Sequence, residues 1–521
     1  MNIASPAIHR VRPRVSIIGA GPGGLAAAML LAAEGARVTV HERNEGPGGR
    51  TRTIAGDGGY RFDLGPTFFL YPRILAEIFE SCGARLEDEV ELIRLDPQYR
   101  LVFEGRDQVS VDATPDLARM EAEIAKLDPL DARGLAAFMA ENRAKLALFS
   151  PILRRPMLSH RDLVRPDMLR ALPMLRPHLT VDADLRRYFR DPRTRLAFTF
   201  QSKYLGMSPF RCPALFSILS FLEYEHGVFH PRGGCGAVSE AMARVAERLG
   251  VTFRYGETVD RMVFEGRRAV GVEAAGRRFE ADAVVVNGDF AHAIPRLMPE
   301  ALRPHWPDRK IAKARYSCST FMLYLGIEGA LPGLAHHTVL LAEDYQRNLA
   351  EIEGGTIPAN PSVYVQHATA TDGTLAPPGH STLYVLVPVP NLRCGVDWGR
   401  EAPRYRALAL RRLEALGLKD LEPRIRTERM LTPQQWQDEQ AVGFGATFNL
   451  AHDLGQMLCF RPRNRFGKAE GVYLVGGGTH PGSGLPVIFE GARISAGLLM
   501  RDLGMGALTE GSRAAAFAAQ G

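Results

Sequence analysis

The sequence predicts an α/β fold built on a Rossmann-type parallel sheet, and three observations carry that expectation. The first is "VSIIGAGPGGLAAAMLLAAEGARVTVHER" (15–43): an apolar run, a glycine-rich turn, an Ala/Leu stretch and a second apolar run. The second is "GVYLVGGGTHPGSGLPVIFEGARISAGLLMRD" (471–502), which repeats the order strand, glycine turn, helix at the far end of the chain. The third is "VTFRYGETVDRMVFEGRRAVGVEAAGRRFEADAVVVNGDF" (251–290), which reads as several short strands with Gly turns. At 521 residues the chain exceeds one simple core, so two or three intermixed domains are expected.

Taken in order, residues 15–18 are a short apolar run ending in Gly, the pattern of a buried parallel strand. Residues 22–33 predict a helix and 37–41 a second strand, completing a β-α-β unit. Residues 74–190 read as mainly helical, punctuated by Pro. The span "PALFSILSFLEYEHG" (213–227) is the most continuously apolar piece, suited to core or a pocket wall. An amphipathic helix is expected over 236–250, mixed strands and loops over 315–390, and an Arg/Leu helix over 400–417. The small, polar stretch after Met505 reads as a disordered tail.

Composition narrows the function classes. With 46% hydrophobic and 23% charged residues the chain is ordinarily globular, and its net charge is +6. The excess is concentrated: residues 151–190 hold nine Arg against four Asp. The segment reads either as a solvated helical face or as a surface for anionic membrane, because its Arg residues alternate with Leu, Met, Pro and Tyr. No nucleic-acid-binding motif is present. Six scattered Cys without CxxC spacing fit reduced thiols in a cytoplasm rather than a disulfide framework or a metal site. No apolar run approaches the roughly 18 residues of a membrane span, so a soluble or peripheral protein is expected.

Gly19, Gly21 and Gly24 form GxGxxG at the strand–helix junction. The first permits the tight turn, the second lets backbone approach a pyrophosphate, and the third lets helix and strand pack closely. The helix start, through Ala20 and Gly23, offers amides and partial positive charge. Glu42 ends the second strand 18 residues after Gly24, followed by Arg43, where a carboxylate accepts hydrogen bonds from an adenosine ribose. The loop "GPGGRTRT" then returns Gly49 and Arg50 to the pyrophosphate, which a nicotinamide enzyme does not ordinarily need.

The order GxGxxG, Glu, GGRT resembles the flavoprotein family that includes amine oxidases, protoporphyrinogen oxidase and carotenoid desaturases. Further matches narrow it. "FDLGPTFF" (62–69), "AFTFQSKYLGMSPFRCPALFSILSFLEYEHGVFHPRGG" (197–234) and the Thr-His-Pro-Gly of the C-terminal stretch are similar to the bacterial and fungal phytoene and diapophytoene desaturases. The matches lie along nearly the whole chain. Phe489 and Glu490 depart from the small residues expected there, and 444–465 matches loosely.

The resemblance implies an FAD-binding domain of the amine oxidase/phytoene desaturase kind, with a mixed-sheet substrate domain and a helical membrane-facing region. The expected division is 11–100, 231–295 and 466–505 for the FAD-binding parts, 101–230 for the helical region, 296–465 for the substrate domain and 506–521 for the tail. It implies an FAD-dependent desaturase of a long isoprenoid such as phytoene or diapophytoene, with hydride passing to flavin N5. A carotenoid oxygenase, 3,4-desaturase, saturase or isomerase is the alternative within the family, and an amine or porphyrinogen oxidase a more distant one. Its partners are a lipophilic polyene, an anionic membrane surface, and oxygen or quinone as terminal electron acceptor; peripheral membrane association is implied. Besides the residues above, the motifs place Pro66, Thr67, Val259, Gly477, Gly478, Pro486 and Val487 at the cofactor, with 287–289 nearby.

A greasy substrate calls for an apolar tunnel, and Phe68, Phe69, Leu215, Phe216, Leu219, Phe221 and Leu222 are its candidate lining, a run that reads equally as plain core. For a base or cation-stabilising group the chain offers Glu223, Glu225, His230, His480 and Glu490, with Glu225 and His480 the catalytic candidates. His480 reads equally as a residue that shapes its turn by bonding backbone. A polyene cation loses its proton even to a poor base, so a single acid/base residue is not required.

Overall fold

The computed structural model describes residues 12–106 and 108–505; the expected tail over 506–521 lies outside them. β1 (Arg14–Ile18), α1 (Pro22–Ala33) and β2 (Arg37–His41) form the expected β-α-β unit. They sit in a five-stranded parallel sheet ordered 252–254, β2, β1, 283–286, 472–474. Both glycine turns therefore leave strands of one sheet, with only strand 283–286 between them, although some 450 residues separate them in sequence. α1 is rich in Ala and Leu and packs on the C-terminal helix Leu485–Asp502 and on Gly236–Arg248, burying one face of the sheet. A three-stranded antiparallel meander over Val259–Glu265, Arg268–Ala274 and Arg277–Glu280 covers the other.

A seven-stranded mixed sheet forms the second layer, ordered 425–431, 319–328, 380–389, 363–366, 337–341, 99–103, 109–113. Strand Ser319–Glu328 is buried along nearly its whole length, as expected for a central strand with both faces covered. Its edge holds a correction. The sequence expected 74–190 to be mainly helical, but Tyr99–Phe103 and Val109–Ala113 are strands, and Tyr99–Phe103 pairs in parallel with His337–Leu341. "YRLVF" alternates too weakly to declare itself, and its partner lies more than 230 residues away. Most helices between 117 and 226 pack against these strands in one shared core, led by Leu135–Leu153 and Ile218–His226, while Pro166–Leu175 packs in a separate cluster with Phe149, Ile152 and Met157.

Candidate active site

A cavity of about 750 Å³ runs between the two sheets. One end is nearly all backbone: Gly19, Gly21, Pro22 and Gly23 from the first turn face Gly476, Gly477 and Ser483 to Ile488 from the last. Gly19 has φ +101°, which a side chain rarely adopts. A Cβ on Gly24 would fall 2.1 Å from the Gly19 carbonyl, and one on Gly23 2.8 Å from Asn287 Oδ1. The turn is thus held close to both its own strand and the next one, and its bare surface is left to a ligand. Glu42 is buried at this end and accepts hydrogen bonds from Ala20 N at 2.7 Å and Asn44 N at 2.9 Å. Arg43, Gly49, Arg50, Pro66, Thr67, Val259, Pro486 and Val487 also line the cavity. Ala20, Gly24 and Gly478 do not: they pack behind the wall, Gly478 against Phe290 and Asn449. A bare cradle joining two helix starts to an acidic strand end fits a long dinucleotide such as FAD, with its phosphates on amides and its ribose near Glu42.

The other end is built from side chains. Phe68, Leu219 and Leu222 line it as the sequence suggested, whereas Phe69, Leu215, Phe216 and Phe221 turn into packing elsewhere. Tyr99, Lys203, Tyr204, Cys318, His337, Val339, Leu341, Tyr345, Tyr364, Tyr384 and Leu386 complete the wall. Lys203 and Tyr204 come from the helical turn Phe200–Leu205, Tyr345 from a helix, and most of the others from four strands far apart in the chain, so no single motif gathers them. Phe68 stands edge-on to Tyr204 at 5.3 Å and to His337 at 5.4 Å. Tyr384 and Tyr324 donate to the carbonyls of Gly65 and Leu64 at 2.7 and 2.6 Å, pinning the loop that carries Pro66 and Thr67.

Neither catalytic candidate faces this space. Glu225 is clamped at the outer side of its helix by Arg143, whose Nε and Nη2 donate to its two oxygens at 2.8 and 2.7 Å. His480 is buried below the C-terminal turn, its Nε2 3.1 Å from the Arg155 carbonyl and its own backbone bonded to Pro462 and Asn464. Burial pushes its imidazole down to about 4, leaving it neutral. His480 therefore shapes the turn, and Glu490 pairs with Arg154 and Arg493.

Behind the side-chain end of the wall lies Glu223. It is fully buried, and its Oε2 accepts from Tyr99 Oη and Gln201 Nε2, each at 2.9 Å. Burial pushes its carboxyl up to about 7, against hydrogen bonds from Gln201, Tyr204 and Tyr99 that pull it down. Two of those partners, Tyr99 and Tyr204, line the cavity. Burial also lowers the Lys203 ammonium. Among the described residues no cluster of three or more His, Cys, Asp or Glu is arranged to hold a metal ion.

Comparison with known proteins agrees with this geometry. The flavin containing amine oxidoreductase family matches residues 22–498. A 4,4'-diapophytoene desaturase (4,4'-diapolycopene-forming) of Methylomonas sp is 42% identical over 489 residues, covering 93% of this chain and 94% of the relative. An all-trans-zeta-carotene desaturase of Myxococcus xanthus is 40% identical over 501 residues, 95% and 94% of the two chains. Among solved structures, an oxidoreductase from Methanosarcina mazei superposes with a TM-score of 0.62 at 18% identity, over 94% of this chain and 100% of that one, a likeness of fold. A glycine cradle shaped for FAD, continuous with an aromatic and aliphatic chamber, is what such an enzyme needs, and the chain belongs to the flavin containing amine oxidoreductase family, in its branch of FAD-dependent carotenoid desaturases.

Proposed function

We propose that the chain dehydrogenates a long carotenoid precursor of the phytoene or diapophytoene class, and that one observation carries this reading: the glycine-lined and apolar ends form a single cavity. In this reading Gly19, Gly21, Gly23, Glu42, Arg43, Gly49, Arg50, Pro66, Thr67, Val259, Gly477, Pro486 and Val487 contact FAD. Ala20, Gly24 and Gly478 hold the turns from behind. Bound FAD supplies the two-electron acceptor that takes a hydride, and oxygen or a quinone later reoxidises it. The chain's residues hold the polyene, exclude water, and set the faces of Phe68, Tyr204, Tyr364 and Tyr384 beside any positive charge that develops on it.

The substrate dissolves in lipid, and the surface supports docking to a bilayer. Val164 is 67% exposed, and Leu169, Leu172, Leu454 and Phe460 are exposed as well. His160 packs on Phe460 at 5.2 Å, which joins segments 160–175 and 454–460 into one patch. The Arg cluster contributes less than its number suggests, because Arg154, Arg155, Arg165, Arg176, Arg186 and Arg187 are paired with carboxylates. Of the nine, Arg161, Arg170 and Arg190 have no carboxylate partner among the described residues, and Arg161 and Arg170, in the 160–175 segment, are left to meet anionic headgroups. No helix among the described residues is long and apolar enough to cross a membrane.

The test is direct. The FAD-loaded chain is mixed anaerobically with liposomes carrying phytoene or diapophytoene. Bleaching of the flavin band together with a longer conjugated polyene is expected; no bleaching with either substrate overturns the reading.

A further inference from the structure

Beside the cavity, where strand Val228–Pro231 of a small three-stranded sheet meets the mixed sheet, a row of imidazoles is buried. His230 lies on strand Val228–Pro231, and His336 and His337 lie at the start of His337–Leu341. Their rings touch in sequence, with centroids 4.8 Å apart from His230 to His336 and 4.4 Å from His336 to His337. All three are buried. Each uses one ring nitrogen: His337 Nδ1 meets Tyr364 Oη at 2.8 Å, His336 Nδ1 meets Thr371 Oγ1 at 2.7 Å, and His230 Nε2 meets Asp372 Oδ2 at 3.2 Å. The other nitrogen of each, His337 Nε2, His336 Nε2 and His230 Nδ1, has no hydrogen-bond partner. An unsatisfied buried polar group costs about 1–3 kcal/mol, so three on touching rings call for an explanation.

The row has two ends. At the inner one, Tyr364 and Thr67 line the cavity, and the Tyr364 hydroxyl is held between Thr67 Oγ1 at 2.5 Å and His337. At the outer one, Asp372 lies 4.0 Å from Arg232, whose side chain is 46% exposed and pairs with Glu91. Asp63 and His367 are the other titratable groups packed around the rings. Burial drives His337 down to about 3 and His336 well below its usual value, so both rest neutral and hold a proton only in passing.

We propose that Tyr364, His337, His336, His230 and Asp372 are the exit path for the proton that desaturation removes from the substrate. This rests on the desaturase reading. One carbon of the reacting pair gives up a hydride, and its two electrons leave with the cofactor. The C–H bond on the neighbouring carbon breaks, and its electron pair becomes the new double bond. The proton goes to Tyr364 Oη as the Tyr364 hydroxyl proton passes to His337 Nδ1. His337 releases its Nε2 proton to His336, His336 passes one to His230 Nδ1, and His230 gives its Nε2 proton to Asp372 and the water outside. A bridging water, or a small turn of a ring, closes each gap between unpartnered nitrogens. Tyr364 is then a catalytic residue, and the histidines behind it conduct.

Two measurements test this on the FAD-loaded full chain. In the first, histidines are ¹⁵N-labelled and followed by NMR through a pH titration. His337 is expected to stay neutral to below pH 5, with a resonance that shifts in Tyr364→Phe; a doubly protonated ring at pH 7 or an unmoved resonance overturns the path. In the second, anaerobic flavin bleaching by phytoene or diapophytoene liposomes is timed in H₂O and D₂O. Tyr364→Phe should slow it by about 10² or more. His230→Gln, which touches neither cavity nor cofactor, should slow it roughly tenfold and enlarge the solvent isotope effect, at unchanged flavin content and half-saturation. His230→Gln at the unaltered chain's rate in both solvents overturns the path. Should the unaltered chain bleach with neither polyene, the desaturase reading fails, and the NMR arm alone judges the row.

Discussion

The two ends of the cavity are made from different materials. The cofactor end is backbone, brought close by Gly19, Gly23 and Gly24, where a Cβ meets a strained φ or a neighbour within 2.1–3.3 Å. The substrate end is side chains, held by packing, by hydrogen bonds from Tyr324 and Tyr384 to backbone, and by the bond between Thr67 and Tyr364. Backbone geometry tolerates almost no substitution and so writes a motif. A greasy wall tolerates many residues of similar volume and writes none.

The largest expected effect tests that contrast. Gly24→Val forces a Cβ into the Gly19 carbonyl at the heart of the cradle. It should cost well over 3 kcal/mol and abolish both flavin retention and a cooperative melt. Leu222→Ala, at the other end, should cost about 2–4 kcal/mol yet keep the visible flavin band. Equal loss of flavin in the two variants would break the distinction.

Next is Glu223→Gln. Burial raises the native carboxyl to about 7 from an ordinary 4.5, so the folded chain holds an extra proton between those values. Stability from this group is complete below pH 4.5 and is lost as pH rises to 7, by roughly 3 kcal/mol in all. The Gln variant keeps an amide oxygen for Tyr99 and Gln201 and lacks the slope. Thermal melts from pH 5 to 8 should show the unaltered chain weakening and the variant nearly level; parallel curves refute the assignment.

How much of this was legible in the sequence follows the same division. The β-α-β unit, the closing strand–turn–helix and the dinucleotide cradle were readable because glycine spacing and apolar runs are local. Tyr99–Phe103 was misread as part of a helical stretch because its strand partner, His337–Leu341, is remote. Tyr364, His337 and Lys203 went unseen for a like reason: they reach one wall from Val363–Gln366, His337–Leu341 and Phe200–Leu205, elements far apart in the chain. The Thr-His-Pro-Gly turn pointed to the branch of the family, but it did so as structure. His480 holds Arg155 and the turn from below rather than facing a substrate.

The surface patch extends the contrast outward, since its apolar side chains outnumber its unpaired Arg. Val164→Asp with Leu169→Asp should reduce liposome flotation by about ten- to a hundredfold, or roughly 1.5–3 kcal/mol. Replacing Arg161 and Arg170 by Gln should reduce it less, and chiefly on anionic vesicles. The reverse order would make the surface an electrostatic one.

The smallest effect belongs to Glu225, and it separates two carboxylates on one helix. Two residues apart is about 200° of rotation, so when Glu223 points into the core, Glu225 must point out. Its side chain is 26% exposed, and hydrogen bonding to Arg143 holds its carboxyl below the usual range. Any stability it lends is present above about pH 4.5 and fades as pH falls. An exposed pair contributes little, so Glu225→Gln should cost under about 1 kcal/mol and leave flavin content and the bleaching rate unchanged. A tenfold slower rate in a fully loaded, equally stable variant would return Glu225 to the chemistry.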